Sequence, residues 1–556
     1  MSKMIMRDNH FYAVIVTVTL FFLFGCTPPP TDEKNNSAKK TINDTSLLSL
    51  GECKKEDFPN GFARNLVCGN YSVFENPDDP NGKKIQLNIA KLPSISSRSE
   101  PDPLFIFAGG PGQAATEVMS AVFPLIRKVN QKRDIVFVDQ RGTGKSNPLD
   151  CDPEEETNYS LNYEESLEQQ KNMLKECLKN YDTEVSFYTT PYAMDDINEV
   201  RKALGYEKIN LWGASYGTRA ALVYMRRHPE TVRTAVLDGV APVGMRIPHY
   251  FLADADEALT RLFSQCEDNY SCLNEFGDLK AITKKLISRL NLTPEKISVR
   301  HPSTQKDIEI LLNGKILASY LRLALYSREL SSALPWMISA IDKKDYRALS
   351  VLLSSSEDSL VGMSVGMQYT VLCAEDVRTN PTADSSFLSD SFSVDDLSKS
   401  LLQLDLTKPM EDVCEFWPSG KLPENYLSPV ESDLPVLIVS GELDPVTPPY
   451  WGDKAAETLS NSQHIVVSGT HHGSSFSGCV PNVINEFIRS ASHELLDESC
   501  VENIKPMAPF VSPAGPEMQF KNIIFKGAEE KIKKSKTTKE LDSPVIKSEL
   551  EGNSND

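Results

Sequence analysis

The sequence predicts an α/β fold: a mostly parallel sheet with helices on both faces, interrupted by a helical insertion. Three observations predict it. Short apolar runs of buried-strand type end in turn residues, at Leu104 to Ala108, Asp134 to Val138, Ile209 to Trp212, Ala235 to Asp238, Val436 to Val439 and His464 to Val467. The run at Ile209 feeds a tight turn, Gly213-Ala214-Ser215-Tyr216-Gly217, and then a segment, Thr218 to Arg227, with helical spacing of Ala, Leu, Val and Met. From about 244 to 429 helical periodicity dominates, as in Phe251 to Phe263 and Ile316 to Leu325, without a comparable series of strands.

In chain order, Lys3 and Arg7 precede a 15-residue apolar stretch, Phe11 to Gly25, short for a membrane span and suited to a signal-peptide core, so 1–25 is expected to be an export signal. The run ends Leu23-Phe24-Gly25-Cys26, which resembles a bacterial lipobox and implies lipidation of Cys26, although Phe24 stands where a small residue is usual. A lipid anchor in a bacterial envelope membrane, on a periplasm-facing surface, is the expected location. Residues 26–50, rich in Pro, Asn, Ser, Lys and Asp, read as a flexible tether. The first part of the core is placed at 51–243, a helical cap at 244–429, the second part of the core at 430–505, and a C-terminal extension at 506–556. The end of that extension is expected to be disordered from its Lys, Glu and Ser content.

Composition narrows the function. The chain has 556 residues, 58 basic and 77 acidic, and a net charge of −19, which lacks the basic footprint of a nucleic-acid binder. Ten cysteines remain beyond Cys26: Cys53, Cys68, Cys151, Cys177, Cys266, Cys272, Cys373, Cys414, Cys479 and Cys500. In an oxidising compartment they read as five disulfides, for which pairing neighbours in order is the simplest guess among many connectivities. No C-x-x-C pair or His cluster has zinc-ligand spacing, so no metal site is expected, and no cofactor is implied.

The chemistry is expected at the strand ends. Gly213-x-Ser215-x-Gly217 has the form of a nucleophile elbow, a pentapeptide that chance produces readily, so its strand-then-helix context carries the inference. A serine hydroxyl needs a base and an orienting carboxylate. Asp444 follows the strand ending at Val439, and His471 and His472 follow the one ending at Val467, giving the order Ser, Asp, His of α/β-hydrolases. Asp444 is preferred to Glu442 because it stands directly before Pro445. Asp238, also at a strand end, is a minor alternative for the acid. The oxyanion donors expected are the backbone N–H groups of Gly110 and Tyr216. Gly109-Gly110-Pro111-Gly112 lacks the G-K-[ST] ending of a phosphate loop, and Gly142-Thr143-Gly144-Lys145-Ser146 lacks its spacing, so nucleotide binding is not indicated.

Together, Ala108-Gly-Gly-Pro-Gly112, Asp139-Gln-Arg-Gly-x-Gly-x-Ser146, Gly213-x-Ser-Tyr-Gly217, Ser440-Gly-x-x-Asp444 and His472-Gly473 resemble the prolyl aminopeptidase and tripeptidyl aminopeptidase group of α/β-hydrolase serine peptidases, from about Cys53 to Phe510. Ala108 departs from the His that many members carry there. The resemblance implies an exopeptidase acting on short peptides through an acyl-enzyme. It favours His472 over His471, because Gly473 resembles the family's Gly-His-Gly ending. It also implies that Glu375, with Asp376 adjacent, binds the substrate's ammonium, against the plain alternative of a solvated acid pair. A cell-envelope carboxylesterase with the same triad is the alternative function, and a catalytically dead binding scaffold a third. Oligomeric state is not readable from the sequence.

Overall fold

A computed structural model describes residues 48–54, 65–151, 162–301, 304–358, 362–378, 397, 399–494 and 496–516. The expected export signal, Cys26, most of the tether and the end of the C-terminal extension lie outside the described residues.

The chain opens with three strands, β1 (Leu48–Glu52), β2 (Val67–Phe74) and β3 (Lys84–Leu92), followed by β4 (Leu104–Phe107), helix α1 (Met119–Val129) and β5 (Ile135–Val138). Helices α2 (Tyr163–Asn180) and α3 (Thr190–Ala203), strand β6 (Ile209–Ala214), helix α4 (Tyr216–Arg227) and strand β7 (Val232–Asp238) come next. The insertion contains α5 (Phe251–Asp268), α6 (Tyr270–Phe276), α7 (Leu279–Leu292), strands β8 (Glu295–Arg300) and β9 (Asp307–Leu312), then α8 (Gly314–Ala324), α9 (Arg328–Asp342), α10 (Arg347–Asp358), α11 (Val365–Leu372) and α12 (Thr407–Cys414). The chain returns to the sheet with β10 (Val436–Gly441), α13 (Pro449–Ala456), β11 (Ser462–Val467) and α14 (Val480–Ser490).

Among the described residues a nine-stranded sheet runs in the order β1-β2-β3-β5-β4-β6-β7-β10-β11. It is parallel from β5 to β11 and antiparallel where β3, β2 and β1 extend it. The parallel strands are apolar throughout because both faces are covered and successive side chains alternate between them. Phe105, Phe107 and Leu211 point to one face with Ala220, Leu222 and Val223 of α4. Leu104, Ile106 and Trp212 point to the other with Leu125 of α1 and Phe487 of α14. Every parallel strand therefore ends at one edge of the sheet, where its loop is free to carry chemistry.

The cap has an apolar core of its own, drawn from α5 to α10 and including Leu259, Leu290, Leu321, Leu334 and Leu349. Three features differ from the sequence reading. The sheet begins at Leu48, inside the expected tether, because β1 pairs with β2. The cap is not purely helical: β8 and β9 form an antiparallel hairpin whose Ile297, Val299, Ile310 and Leu312 alternate inward. Helix α2, assigned to the core by position, packs Leu174 against Tyr369, Val413 and Trp417 rather than on the sheet. The cysteines join as Cys53–Cys68, Cys151–Cys177, Cys266–Cys272, Cys373–Cys414 and Cys479–Cys500. Two of these bridges, Cys151–Cys177 and Cys373–Cys414, lie in the cluster under α2.

Candidate active site

The turn between β6 and α4 is closed so tightly that side chains are excluded on both sides of its serine. A Cβ on Gly213 would stand 2.2 Å from the Gly217 carbonyl oxygen, and one on Gly217 would stand 2.2 Å from that of Phe107. Between them Ser215 adopts φ 56° and ψ −127°, a conformation that L residues avoid and that lifts the side chain off the end of the strand. Its N–H donates to the Asp238 carbonyl at 2.9 Å.

Asp238 is the hub of the site. Its carboxylate accepts from the backbone N–H groups of Ser474 (3.0 Å) and Ser475 (2.8 Å), in the loop that carries His472. One residue therefore ties the nucleophile elbow to the histidine loop, and Asp238 is not the acid that orients the histidine. That contact belongs to Asp444, whose Oδ2 lies 2.8 Å from His472 Nδ1. The remaining Asp444 lone pairs accept from Val446 N (3.0 Å), Thr447 N (2.9 Å) and Thr447 Oγ1 (2.8 Å). Pro445, which has no N–H, occupies the position where none is needed.

Burial would lift the Asp444 carboxyl, but the charge and hydrogen bond of His472 and the amides of Thr447 and Val446 hold it below the ordinary value. Burial would likewise lower the His472 ring, yet the Asp444 charge and hydrogen bond, helped by Asp238, raise it above 6.5. The half-buried His472 thus faces a permanent carboxylate at Nδ1, which leaves Nε2 as the free base. Gly239, next to Asp238, marks where the parts converge: a Cβ there would stand 3.3 Å from Asp444 Oδ2 and 3.4 Å from His472 Cε1.

The loop after β4 lies beside the serine, since a Cβ on Gly109 would stand 3.3 Å from Ser215 Cβ. The N–H groups of Gly110 and of Tyr216, at the start of α4, make no backbone hydrogen bond among the described residues. Both are thus available as donors beside the serine. The Asp139 motif ties together the chain that follows this loop and helix α3. Asp139 accepts from Thr116 N (2.9 Å) and Oγ1 (3.0 Å), while Arg141 makes a two-pronged contact with Asp196 at 2.7 and 2.8 Å.

The structure corrects the assignment of Glu375 and Asp376. Both are buried, at 1% exposure, in the π-helical turn Cys373–Val377 that continues α11. Glu375 caps α3, accepting from Thr190 N (2.7 Å) and Thr190 Oγ1 (2.8 Å), and also accepts from the Tyr426 hydroxyl. Burial lifts its carboxyl to about 7. Asp376 pairs with Arg219 at 2.9 Å and accepts from Ile247 N. These carboxylates hold α3, α4 and the returning chain together and are closed off from solvent, which is not the solvated acid pair or open ammonium site expected. His471 is likewise turned away from Asp444, with Nδ1 2.8 Å from the Leu325 carbonyl. Sequence reasoning missed the hub role of Asp238, the Thr447 contact and Tyr326, whose ring meets that of His472 edge-on at 5.2 Å. The Asp444-Pro-Val-Thr447 spacing, an Asp accepting from N–H groups two and three residues on, was the one local signal.

Among the described residues no His, Cys, Asp and Glu cluster is arranged to hold a metal ion. What remains is a serine on a strained turn, a carboxylate-oriented histidine and two backbone donors, which together define a serine hydrolase. Residues 102–325 match the α/β-hydrolase fold family, and residues 405–500 match the TAP-like protein family. The chain is 24% identical to serine protease Hip1 of Mycobacterium tuberculosis over 454 residues, covering 76% of this chain and 85% of that protein. Tripeptidyl aminopeptidase of Streptomyces coelicolor is 31% identical over 192 residues, 32% of this chain and 35% of that protein. A probable proline iminopeptidase of the same organism is 28% identical over 174 residues, 31% of this chain and 38% of that protein. The chain has the α/β-hydrolase fold and is a hydrolase enzyme, and the relatives it resembles include serine peptidases.

Proposed function

We propose that this enzyme is a serine aminopeptidase of prolyl or tripeptidyl type, removing residues from the free N-terminus of short peptides. Ser215 Oγ attacks the peptide carbonyl while His472 Nε2 takes its proton, with Asp444 holding the ring in the required tautomer. The N–H groups of Gly110 and Tyr216 stabilise the oxyanion, and the protonated His472 delivers its proton to the departing amine. Water, deprotonated by His472, then opens the acyl-enzyme and restores Ser215. One observation carries this reading: Ser215 at φ 56° is tied through Asp238 to the loop in which His472 meets Asp444 at 2.8 Å. The helical cap, which brings Tyr326 against His472, fits a site that admits short chains. The names of the aminopeptidase relatives support cleavage from the N-terminus.

The reading is tested with Pro-, Ala- and Ala-Ala-Pro chromogenic amides, each with free and acetylated N-terminus, beside p-nitrophenyl butyrate. Amide cleavage confined to free amines is expected, and cleavage of the ester alone would contradict it. A second reading, a cell-envelope carboxylesterase with the same triad, draws on one observation: Glu375 and Asp376 are buried at 1% exposure against protein partners rather than open to an ammonium. We further propose export to a bacterial envelope with Cys26 lipidated, supported by the five disulfides, which suit an oxidising compartment. Loss of the lipid from a Cys26→Ala variant, read by intact mass, tests the anchor.

A further inference from the structure

The cap reaches the catalytic histidine loop through the turn between α8 and α9, Leu325 to Ser327. His471 Nδ1 lies 2.8 Å from the Leu325 carbonyl and 3.3 Å from Ser331 Oγ of α9. A carbonyl only accepts, so Nδ1 carries the hydrogen. The ring is buried, and desolvation lowers its pKa. A neutral imidazole donating to the cap is the state this environment favours. At the next residue of each partner, Tyr326 sets its ring edge-on to His472, with centroids 5.2 Å apart.

The core holds the same loop by its backbone. Thr470 O accepts from Leu443 N at 2.9 Å, His471 O accepts from Ser474 Oγ at 3.1 Å, and Asp238 takes the amides of Ser474 and Ser475. Two sets of contacts therefore meet at His472. The core fixes the main chain on both sides, and the cap holds the neighbouring ring and covers the catalytic ring. The cap turn is itself anchored, because Ser332 O on α9 accepts from Phe510 N at 2.7 Å and Arg328 donates to Lys505 O.

We propose that His471 is a positioning residue for the reaction: its Nδ1–H bond to Leu325 seats the cap turn, with Tyr326, against His472 and so holds the catalytic ring toward both Asp444 and Ser215. The role rests on the triad reading above. His471 itself has no contact with Asp444 within hydrogen-bonding distance among the described residues, and it acts only through its neighbour. Such a contact makes catalysis depend on the cap being seated, since small displacements of a catalytic group are costly: about 1 Å costs on the order of a hundredfold in rate.

Three substitutions in the full chain test it. In His471→Asn the amide N–H stands about where Nδ1 does, in His471→Gln it stands nearer the Nε2 position, and His471→Ala has no donor. The Gln and Ala variants are expected to lose roughly 10- to 100-fold in kcat with KM changed less than about threefold, while Asn stays within about threefold of wild type. The pH profile supplies a readout that a purely structural role would not move. Loosening the His472–Asp444 contact removes what raises the His472 pKa, so the acid limb of kcat/KM moves to lower pH in the Gln and Ala variants. Asn and Gln both keep a polar side chain, so the comparison survives if His471→Ala fails to fold. Equal kcat in the Asn and Gln variants, or losses that follow lowered Tm with an unmoved acid limb, would overturn the proposal. Full activity in Ser215→Ala would overturn the triad reading instead, which keeps the two failures distinct.

Discussion

Asp444 and Asp376 are both fully buried carboxylates, each 2.8 to 2.9 Å from a basic nitrogen, yet they do opposite things. Asp444 faces a histidine, whose charge changes near neutral pH and whose ring is partly exposed beside a serine. Asp376 faces Arg219, which stays charged at every working pH and is itself buried among α4 and the chain after β7. The first pair can pass a proton on; the second can only hold elements together. Burial and a short ion-pair distance therefore do not mark a catalytic group. What marks it is a partner that titrates and an accessible reacting atom beyond that partner.

This contrast orders the tests by size. Ser215→Ala is expected to lower kcat by on the order of 10⁶ with Tm unchanged, because the hydroxyl supports no packing. Asp444→Asn should cost on the order of 10⁴ in kcat by favouring the wrong histidine tautomer, again with the protein folded, as checked by circular dichroism. Asp376→Asn should do the reverse. Leaving Arg219 buried without its counter-charge costs about 3–5 kcal/mol in urea unfolding, while the folded fraction retains its kcat/KM. If Asp376→Asn instead removed activity without loss of stability, the contrast would break.

The pH dependence sharpens the same point. Only neutral His472 accepts a proton, and Asp444 raises its pKa, so the acid limb of kcat/KM should lie above 6.5 and fall toward lower pH in Asp444→Asn. The smallest effect belongs to Glu375→Gln. As a cap of α3 rather than an ammonium site, it should change KM for free-amine amides and for p-nitrophenyl butyrate alike. A rise confined to free amines would restore the ligand-binding role.

The strand ends that carry Ser215, Asp444 and His472 were legible because each depends on its own few residues. An apolar run, a turn and a reactive side chain are adjacent at Ser215, Asp444 and His472, and the continuous burial of β6 and β10 follows from the same runs. Glu375 was misread because its partners, Thr190 and Tyr426, lie 185 and 51 residues away, and nothing local marks a carboxylate that will cap a distant helix. The contacts of His471 with Leu325 and of Tyr326 with His472 escaped for the same reason. The β8–β9 hairpin was overlooked although Ile297 and Val299 alternate with charged and polar neighbours, because its strands are short and stand between helices. In β1, Leu48 and Leu50 carry no local strand signal because their partner strand lies beyond a further stretch of chain.

The central claim is that Ser215 is the nucleophile activated by His472 and Asp444. Labelling the purified enzyme with a fluorophosphonate and locating the adduct by peptide mass spectrometry tests it most directly. A single adduct on Ser215 is expected, formed more slowly below the His472 pKa and at least a hundredfold more slowly in Asp444→Asn, on the order of the activation a triad supplies. An adduct on another serine, or labelling of Ser215 at an unchanged rate in Asp444→Asn, would contradict it.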